Sequence, residues 1–343
     1  MKGLILCGGK GTRLRPYSYS QPKHLLPIAN QPVIQYAIDK MKKAGIREIG
    51  IVVPPHFRPH FESVLGDGHV ELSLNYIEQK EAKGLADAVR AARSFIQDDP
   101  FLLFLGDNFY DGELEGLVQR FYVEKPESLL VVSRVSNPQQ FGVVQFEGNQ
   151  IIRLVEKPQN PPSSFAIVGV YLFTSTIFSM IDRLTPSSRG EYELTDAIQH
   201  LIDREYKVTF MITNDWWKDT GQPKDLLSCN RRVLQQLHEQ IYENQVNIES
   251  SSIEGPVVIG KDTQVIDSVI RGPVKIGNGV KIIRSYIGPY TSISNDVLIE
   301  ESEIENSIVL DRAHIMNIPQ RIDESIIGTE VIMQGVHILA LCK

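Results

Sequence analysis

Gly8-Gly9-Lys10-Gly11-Thr12-Arg13 follows directly on the apolar run Gly3-Leu4-Ile5-Leu6-Cys7. A strand that empties into bare amides ringed by cations is a receptor for a multiply charged anion. The first thirty-eight residues contain no Asp or Glu and hold five cations, Lys2, Lys10, Arg13, Arg15 and Lys23, in a chain whose net charge is −7. A nucleoside triphosphate is the anion that best matches such a local field. Two commoner phosphate loops fail on spacing. In a G-x-x-x-x-G-K-[ST] loop starting at Gly3, Gly9 stands where Lys is required; in a G-x-G-x-x-G fingerprint starting at Gly9, Leu14 replaces the third glycine.

The elements that position this loop read in two grammars. Up to about residue 240, strand-like runs (Leu4–Cys7, Glu48–Val53, Leu72–Tyr76, Phe101–Leu105, Ser128–Val132, Gly142–Phe146 and Phe165–Phe173) are interspersed with helical patterns over Val33–Lys43, Phe57–Leu65 and Leu85–Ile96. Ala44-Gly45 closes the first helix, with glycine just past its end. This alternation predicts an α/β domain over 1–240 with a Rossmann-like mixed, mostly parallel sheet flanked by helices. Ligands of such sheets sit at the carboxyl ends of the strands. The glycine loop after Cys7 and the turn Gly106-Asp107-Asn108 both fall there.

After about residue 246, Ile or Val recurs at 253, 259, 265, 270, 276, 282, 287, 293, 299 and 304, in steps of six, six and five that close a seventeen-residue period. Ser251, Ser268, Ser285 and Ser302 keep the same period. One apolar residue per short side and three sides per turn predict a parallel β-helix of hexapeptide type over 246–343. The pattern loosens near Met316–Arg321 and returns around Ile326–Gly328. Pro223–Asn244 reads as a connecting helix, Thr195-Asp196 as a cap for a helix over Ala197–Arg204, and Cys7 as a small core residue. His56 and His60 stand four apart, but Pro59 argues against a regular helix through them.

The motifs Gly8–Pro16, Pro22-Lys23-His24-Leu25-Leu26-Pro27, Gln79 with Gly84–Ala88, Leu105–Asn108, Phe141–Val144, Val155–Pro158, Arg189-Gly190-Glu191 and Trp217–Gly221, in this order, resemble those of the sugar-1-phosphate nucleotidylyltransferases. The likeness covers essentially the whole chain and is strongest to the thymidylyl-transferring members that carry a C-terminal left-handed β-helix. It implies transfer from dTTP to glucose 1-phosphate, giving dTDP-glucose and pyrophosphate, with Mg2+ as the cofactor held by Asp107 and Asp219. It further implies that Gly8, Gly9, Gly11, Thr12 and Arg13 receive the triphosphate, with Arg13 on the departing phosphates and Lys23 on the α-phosphate. Gln79 and Gly84 face the base. Asn108, Gly142, Glu156, Lys157, Val168, Gly169, Tyr171 and Arg189 receive the sugar phosphate. Val168 departs from the Thr that members often carry, which bears on the sugar's identity. The chemistry agrees: a phosphate nucleophile is already anionic, so such a site requires cations, amides and a hard metal ion rather than a general base.

The bulk numbers exclude other classes. An acidic chain without a basic tract argues against a nucleic-acid partner. No run approaches the ~20 apolar residues of a membrane span. Cys7, Cys229 and Cys342 are too scattered for a disulfide framework, and the setting predicted is cytoplasmic. The β-helix, whose coil edges need covering, predicts a homo-oligomer. Three other readings fit parts of the sequence. One is a uridylyltransferase acting on glucose or N-acetylglucosamine 1-phosphate. Another is an added acyltransferase in the tail with His314 or His337 as base. The third is a non-catalytic scaffold that binds a sugar nucleotide. The missing third glycine disfavours a nicotinamide dehydrogenase.

Overall fold

The computed structural model describes residues 1–19, 21–69 and 71–335, so His337 and Cys342 lie outside the described residues. The chain divides into two compact units. One comprises Met1–Thr12, Ser18–Leu25 and Val33–Asp219; the other comprises Arg13–Tyr17, Leu26–Pro32 and everything from Thr220 onward. The division drawn from the sequence near residue 240 thus differs from the structural one, which groups the helix Pro223–Leu234 and two N-terminal segments with the β-helix.

The first unit is built on a mixed sheet. Strands β1 (Lys2–Leu6), β2 (Glu48–Val53), β3 (Leu72–Glu78) and β4 (Phe101–Leu105) run parallel in the spatial order β3-β2-β1-β4. Leu4, Ile5, Ile49, Ile51, Leu102 and Leu103 are fully buried, as expected for strands covered on both faces. Beyond β4 the sheet turns antiparallel. A short strand, β5 (Asn108–Tyr110), leaves the main sheet, and β6 (Ser128–Arg134), β7 (Gly142–Glu147), β8 (Gln150–Glu156), β9 (Phe165–Phe173) and β10 (Val208–Ile212), with the edge pair Gly68–His69 antiparallel to β3, complete it. β9 pairs antiparallel with β4, β6 and β7; β8 pairs antiparallel with β7, and β10 runs parallel to β6. The last strand of the unit, β11 (Trp217–Asp219), pairs antiparallel with β5.

Helix Val33–Lys43 has the predicted limits. Val33, Ile34, Ala37, Ile38 and Met41 form its buried stripe, and Gly45, at φ +84°, ends it in the left-handed conformation glycine adopts freely. Two local expectations are corrected. Leu85–Ile96 is two helices, Leu85–Ala91 and Arg93–Ile96, because Ala92 leaves helical geometry at φ −87°, ψ 3°. As expected, no regular helix runs through both His56 and His60: His56 belongs to a separate turn, and the helix Arg58–Leu65 carries Pro59 in its first turn, where proline removes no intrahelical bond. Helix Leu194–Asp203 contains Thr195 and Asp196 and has Glu193 at its N-cap without a side-chain cap.

In the second unit the connecting helix stops at Leu234, ten residues short of the expected Asn244, and the first coil strand is already formed at Ile241–Tyr242. From there three parallel sheets stack coil on coil. Val265, Ile282 and Ile299 lie in one column, Ile259, Ile276 and Ile293 in another, Ile270, Ile287 and Ile304 in the third. All nine are buried, and Ile253 packs on them from the first coil. The periodic serines form a polar column. Each hydroxyl donates to the carbonyl two residues back, at 2.7 to 2.9 Å; the first three accept the amide of the next serine, at 3.0 Å from Ser268 and Ser285 and 3.3 Å from Ser302, and Ser302 accepts that of Ile318 at 3.2 Å. The loosening near Met316 has a geometric cause: His314 pairs with Leu298, sixteen residues back, and with Ile332, eighteen ahead, so a short coil is followed by a long one.

The same unit holds its N-terminal segments through long-range bonds. Tyr17 donates to the Ile326 carbonyl at 2.7 Å, and Asn30 to that of Ile293 at 2.7 Å. The fully buried Asn230 accepts from the Ala29 amide at 2.8 Å and the Ser292 hydroxyl at 2.9 Å, and donates to Tyr290 at 3.0 Å. Ile282→Ala, in the middle of the apolar column, is expected to destabilise this unit by about 2–5 kcal/mol, read as a shift of its denaturant midpoint.

Candidate active site

β1 and β4 are neighbours with Leu6 opposite Leu105. The glycine loop and the turn at Gly106-Asp107 therefore emerge side by side at the carboxyl end of the sheet. Gln79 follows β3 at the same end, its amide bonded to the Val53 carbonyl at 2.9 Å. The loop passes close to what lies beneath it. A Cβ on Gly8 would sit 2.4 Å from Gln79 Oε1, and one on Gly9 3.2 Å from Lys23 Nζ. Ser18 fastens the loop by donating to the Gly11 carbonyl at 2.7 Å. Thr12 is exposed at the start of a short turn. Arg13, also exposed, belongs to the segment that groups with the second unit. The remaining predicted site residues all fall in the first unit.

Under the loop, Lys23 donates to the Asp107 carboxylate. Burial alone would raise the Asp107 pKa, but the charges of Lys23 and His24 and the Lys23 bond outweigh it and hold the group at about 2. Burial and the Lys23 charge push His24 down to about 3, so its imidazole is neutral at pH 7 and charged only in the acid range where Asp107 itself titrates. Cys7 is pushed well up by burial, which fits an inert core thiol.

The ribbon of β5 and β11 pairs Asp219 with Asn108 and Trp217 with Tyr110. Asp219 therefore ends a strand rather than sitting in a turn, and it faces the residue next to Asp107. A three-residue ribbon has few backbone bonds of its own. Side chains hold it: Tyr110 donates to Asp215 at 3.2 Å, Thr213 donates to Asp215 at 2.7 Å, and Lys40 donates to the Asp111 carbonyl at 2.9 Å. Among the described residues no group of three or more His, Cys, Asp or Glu could hold a metal ion. Two carboxylates at one ribbon end suit a hard cation whose other ligands are phosphate oxygens and water, which is the usual magnesium arrangement.

After β3, Gln79 is buried and donates to the Gly84 carbonyl at 3.3 Å and to Asp87 at 3.0 Å. Asp87, a partner the sequence did not single out, also binds Arg90. Gly84 has φ +107°, and a Cβ there would come within 2.6 Å of the Tyr192 carbonyl. The close approach observed at Gly84 is thus to protein backbone, and the residue also starts the Leu85 helix.

Next to Asp107, buried Asn108 donates to the Val168 carbonyl at 2.5 Å. This contact uses the Val168 backbone and makes no demand on the side chain at 168. Gly169, at φ +83°, leaves the room: a Cβ there would lie 2.2 Å from Asn108 Nδ2. Gly169→Ala is expected to raise the KM for the sugar phosphate about tenfold or more, at a cost of over ~1.4 kcal/mol, with a much smaller change for the triphosphate; matched initial-rate kinetics check it.

Gly142 pairs with Glu156 across β7 and β8. Glu156 receives Thr195 at 3.4 Å and lies 3.7 Å from both Lys157 and Arg189. Burial raises its pKa against the pull of those cations. Arg189 lies in a turn and is exposed, yet its guanidinium is engaged by carboxylates. It reaches Glu193 at 3.2 Å and Glu191 at 3.4 Å as well. Glu193, which sequence reasoning missed, is 4% exposed, accepts from Ser187 at 2.9 Å, and is raised by burial. Its spacing of four from Arg189 was the available signal. Tyr171 is buried and stacked on Phe173, and burial with the nearby Glu156 charge keeps its hydroxyl protonated.

A glycine loop over a buried lysine, two aspartates at one ribbon end and a cation–carboxylate cluster beyond them define a phosphate-handling transferase of the α/β class. The family model described as nucleotidyl transferase matches residues 2–236. The chain is 40% identical to a glucose-1-phosphate thymidylyltransferase of Streptomyces griseus over 96% of its length and 93% of that protein. It is also 40% identical to one of Streptomyces antibioticus, over 98% and 95%. A solved structure of a Bacillus anthracis protein assigned as a glucose-1-phosphate thymidylyltransferase, in complex with sucrose, superposes with a TM-score of 0.64 at 35% identity, covering 67% of this chain and 94% of that one. The chain belongs to the nucleotidyl transferase family.

Proposed function

We propose that this chain is a glucose-1-phosphate thymidylyltransferase: it transfers a thymidylyl group from dTTP to α-D-glucose 1-phosphate, giving dTDP-glucose and pyrophosphate. The curated relatives of that name, matched over nearly the full length of both chains, support the reading. The observation that carries it is the strand register that sets Asp219 opposite Asn108, between the glycine loop with Lys23 on one side and the Asn108–Val168–Gly169 contact on the other.

A phosphate oxygen of the sugar 1-phosphate attacks the α-phosphorus in line, and the bond to the bridging oxygen of pyrophosphate breaks. The nucleophile is already ionised, so no proton shuttle is required, and the task is to hold two polyanions together. Lys23 takes the α-phosphate. The loop amides of Gly8, Gly9 and Gly11, with Thr12, take the outer phosphates, and Arg13 balances charge on the departing pyrophosphate through a planar bidentate fork. Lys157 and Arg189 hold the sugar phosphate. Glu156 accepts sugar hydroxyls beside Gly142, Gly169 and Tyr171. Gln79 reads the base edge and its acidic partner Asp87 orients the amide. Mg2+, held by Asp107 and Asp219, supplies neutralisation of the triphosphate charge when bound.

The partners in this reading are dTTP and a sugar 1-phosphate. The setting is cytoplasmic and the β-helix builds a homo-oligomer, so truncation near Ile248 is expected to lower the assembly size in sedimentation. The test of function is a matrix of four triphosphates against glucose, galactose and N-acetylglucosamine 1-phosphates, with and without Mg2+, read as released pyrophosphate. Turnover is expected chiefly with dTTP and glucose 1-phosphate in the presence of Mg2+. Preference for UTP would make the chain a uridylyltransferase, and no release with any pair would overturn the reading.

A further inference from the structure

Lys23 and Asp107 have separate tasks in the reaction proposed above, one toward the triphosphate and the other toward the divalent ion. In this structure they bond to each other. The pair is well shielded, with the lysine side chain 9% and the aspartate 21% exposed. The glycine loop lies directly over the ammonium, close enough that a Cβ on Gly9 would meet Lys23 Cε at 3.1 Å.

Removing one member of a shielded ion pair is far costlier than removing both, because the member left behind keeps its desolvation penalty without its attraction. A divalent ion arriving alone at Asp107 must displace the ammonium and strip it of this carboxylate. A triphosphate arriving alone must draw Lys23 away and strip the carboxylate of this ammonium. When both arrive, the pair simply exchanges partners, ammonium to phosphate and carboxylate to metal, with charge balanced throughout. We propose that the Lys23–Asp107 contact is an exchange latch that makes the protein take up the triphosphate and the divalent ion together and disfavours either one alone. The proposal rests on the assignment of these two residues given above.

The latch predicts that each partner's loss improves binding of the other partner's ligand, even though each loss cripples turnover. Two titrations of the full chain test it by calorimetry. The first measures Mn2+ binding to nucleotide-free protein. Lys23→Met is expected to bind Mn2+ about tenfold or more tightly than the unmodified chain, the scale on which a coupling of 1.4 kcal/mol is read. The second measures dTTP binding in EDTA, where Asp107→Asn is expected to bind metal-free dTTP tighter by a similar factor. Lys23→Gln and Asp107→Ser serve as second variants if either first choice melts early in circular dichroism.

Both gains are required. Equal or weaker Mn2+ binding by both lysine variants, or equal or weaker dTTP binding by both aspartate variants, overturns the latch. Failure of the pyrophosphate assay would instead strike the proposed reaction, since neither titration depends on turnover.

Discussion

Asp107→Ala is expected to lower kcat by about 1,000-fold or more, the range seen when a preorganised electrostatic partner of the reacting phosphates is removed. Asp219→Ala, at the facing end of the ribbon, is expected to fall in the same range. The loss belongs to kcat because the site's proposed work is charge neutralisation as pyrophosphate departs. Raising Mg2+ should not restore either variant. Activity within tenfold of the unmodified chain in both would remove the metal assignment. Asp107→Ala also carries a stability signature. The group's folded pKa, about 2, lies below its ordinary 3.8, so its stabilising contribution is present above the ordinary value and lost as pH falls through the folded one. The thermal midpoint of Asp107→Ala should therefore trail that of the unmodified chain at pH 7, and the gap should close between pH 4 and 2.

Arg189→Ala is expected to lower kcat/KM for glucose 1-phosphate by roughly 10- to 100-fold, the worth of one or two charge-assisted bonds to phosphate, while the KM for dTTP stays near its starting value. Here too the pH dependence has a definite sign. Burial raises the carboxyl pKa values of Glu156 and Glu193, and the arginine charge opposes that rise. Without the arginine both values move further up. An acid whose folded pKa is raised stabilises most when protonated and loses that contribution as pH rises through the folded value. The variant should be least stable relative to the unmodified chain at pH 7 to 8 and recover as pH falls toward 4.5. Thermal scans across this range check it, and a pH-independent gap would contradict the charge cluster.

Much of this was legible in the sequence wherever a local rule acts alone. Val33–Lys43 has one apolar stripe and a glycine stop, and Glu48–Val53 and Phe101–Leu105 are short apolar runs bounded by turn residues; each has the predicted limits. The β-helix was legible because its stacking repeats the same demand every seventeen residues, and all ten predicted positions lie in or against its core. What was not legible depends on partners distant in sequence. β8, Gln150–Glu156, has exposed residues on one face and was passed over beside its stronger neighbour β7. The ribbon of β5 and β11 exists because residues about a hundred apart bond at Tyr110, Thr213 and Asp215. The grouping of Arg13–Tyr17 and Leu26–Pro32 with the second unit follows from contacts as distant as Tyr17 to Ile326. For the candidate site, the glycines, lysines and aspartates were singled out by type and order. Glu193 and Asp87 act on other side chains and carried no comparable pattern.

The serine column gives the C-terminal unit a quantised length. Excising Gly260–Ile276, one whole coil, would join surfaces that already match, and each hydroxyl would meet the same kind of amide as before. Excising one residue fewer would turn every following isoleucine outward. The sixteen- and eighteen-residue coils around His314 obey the same arithmetic, since the two departures cancel and the last coil returns to phase. Such a prism can gain or lose height only in whole storeys, and a single-residue insertion survives only where a matching deletion follows within the next turn.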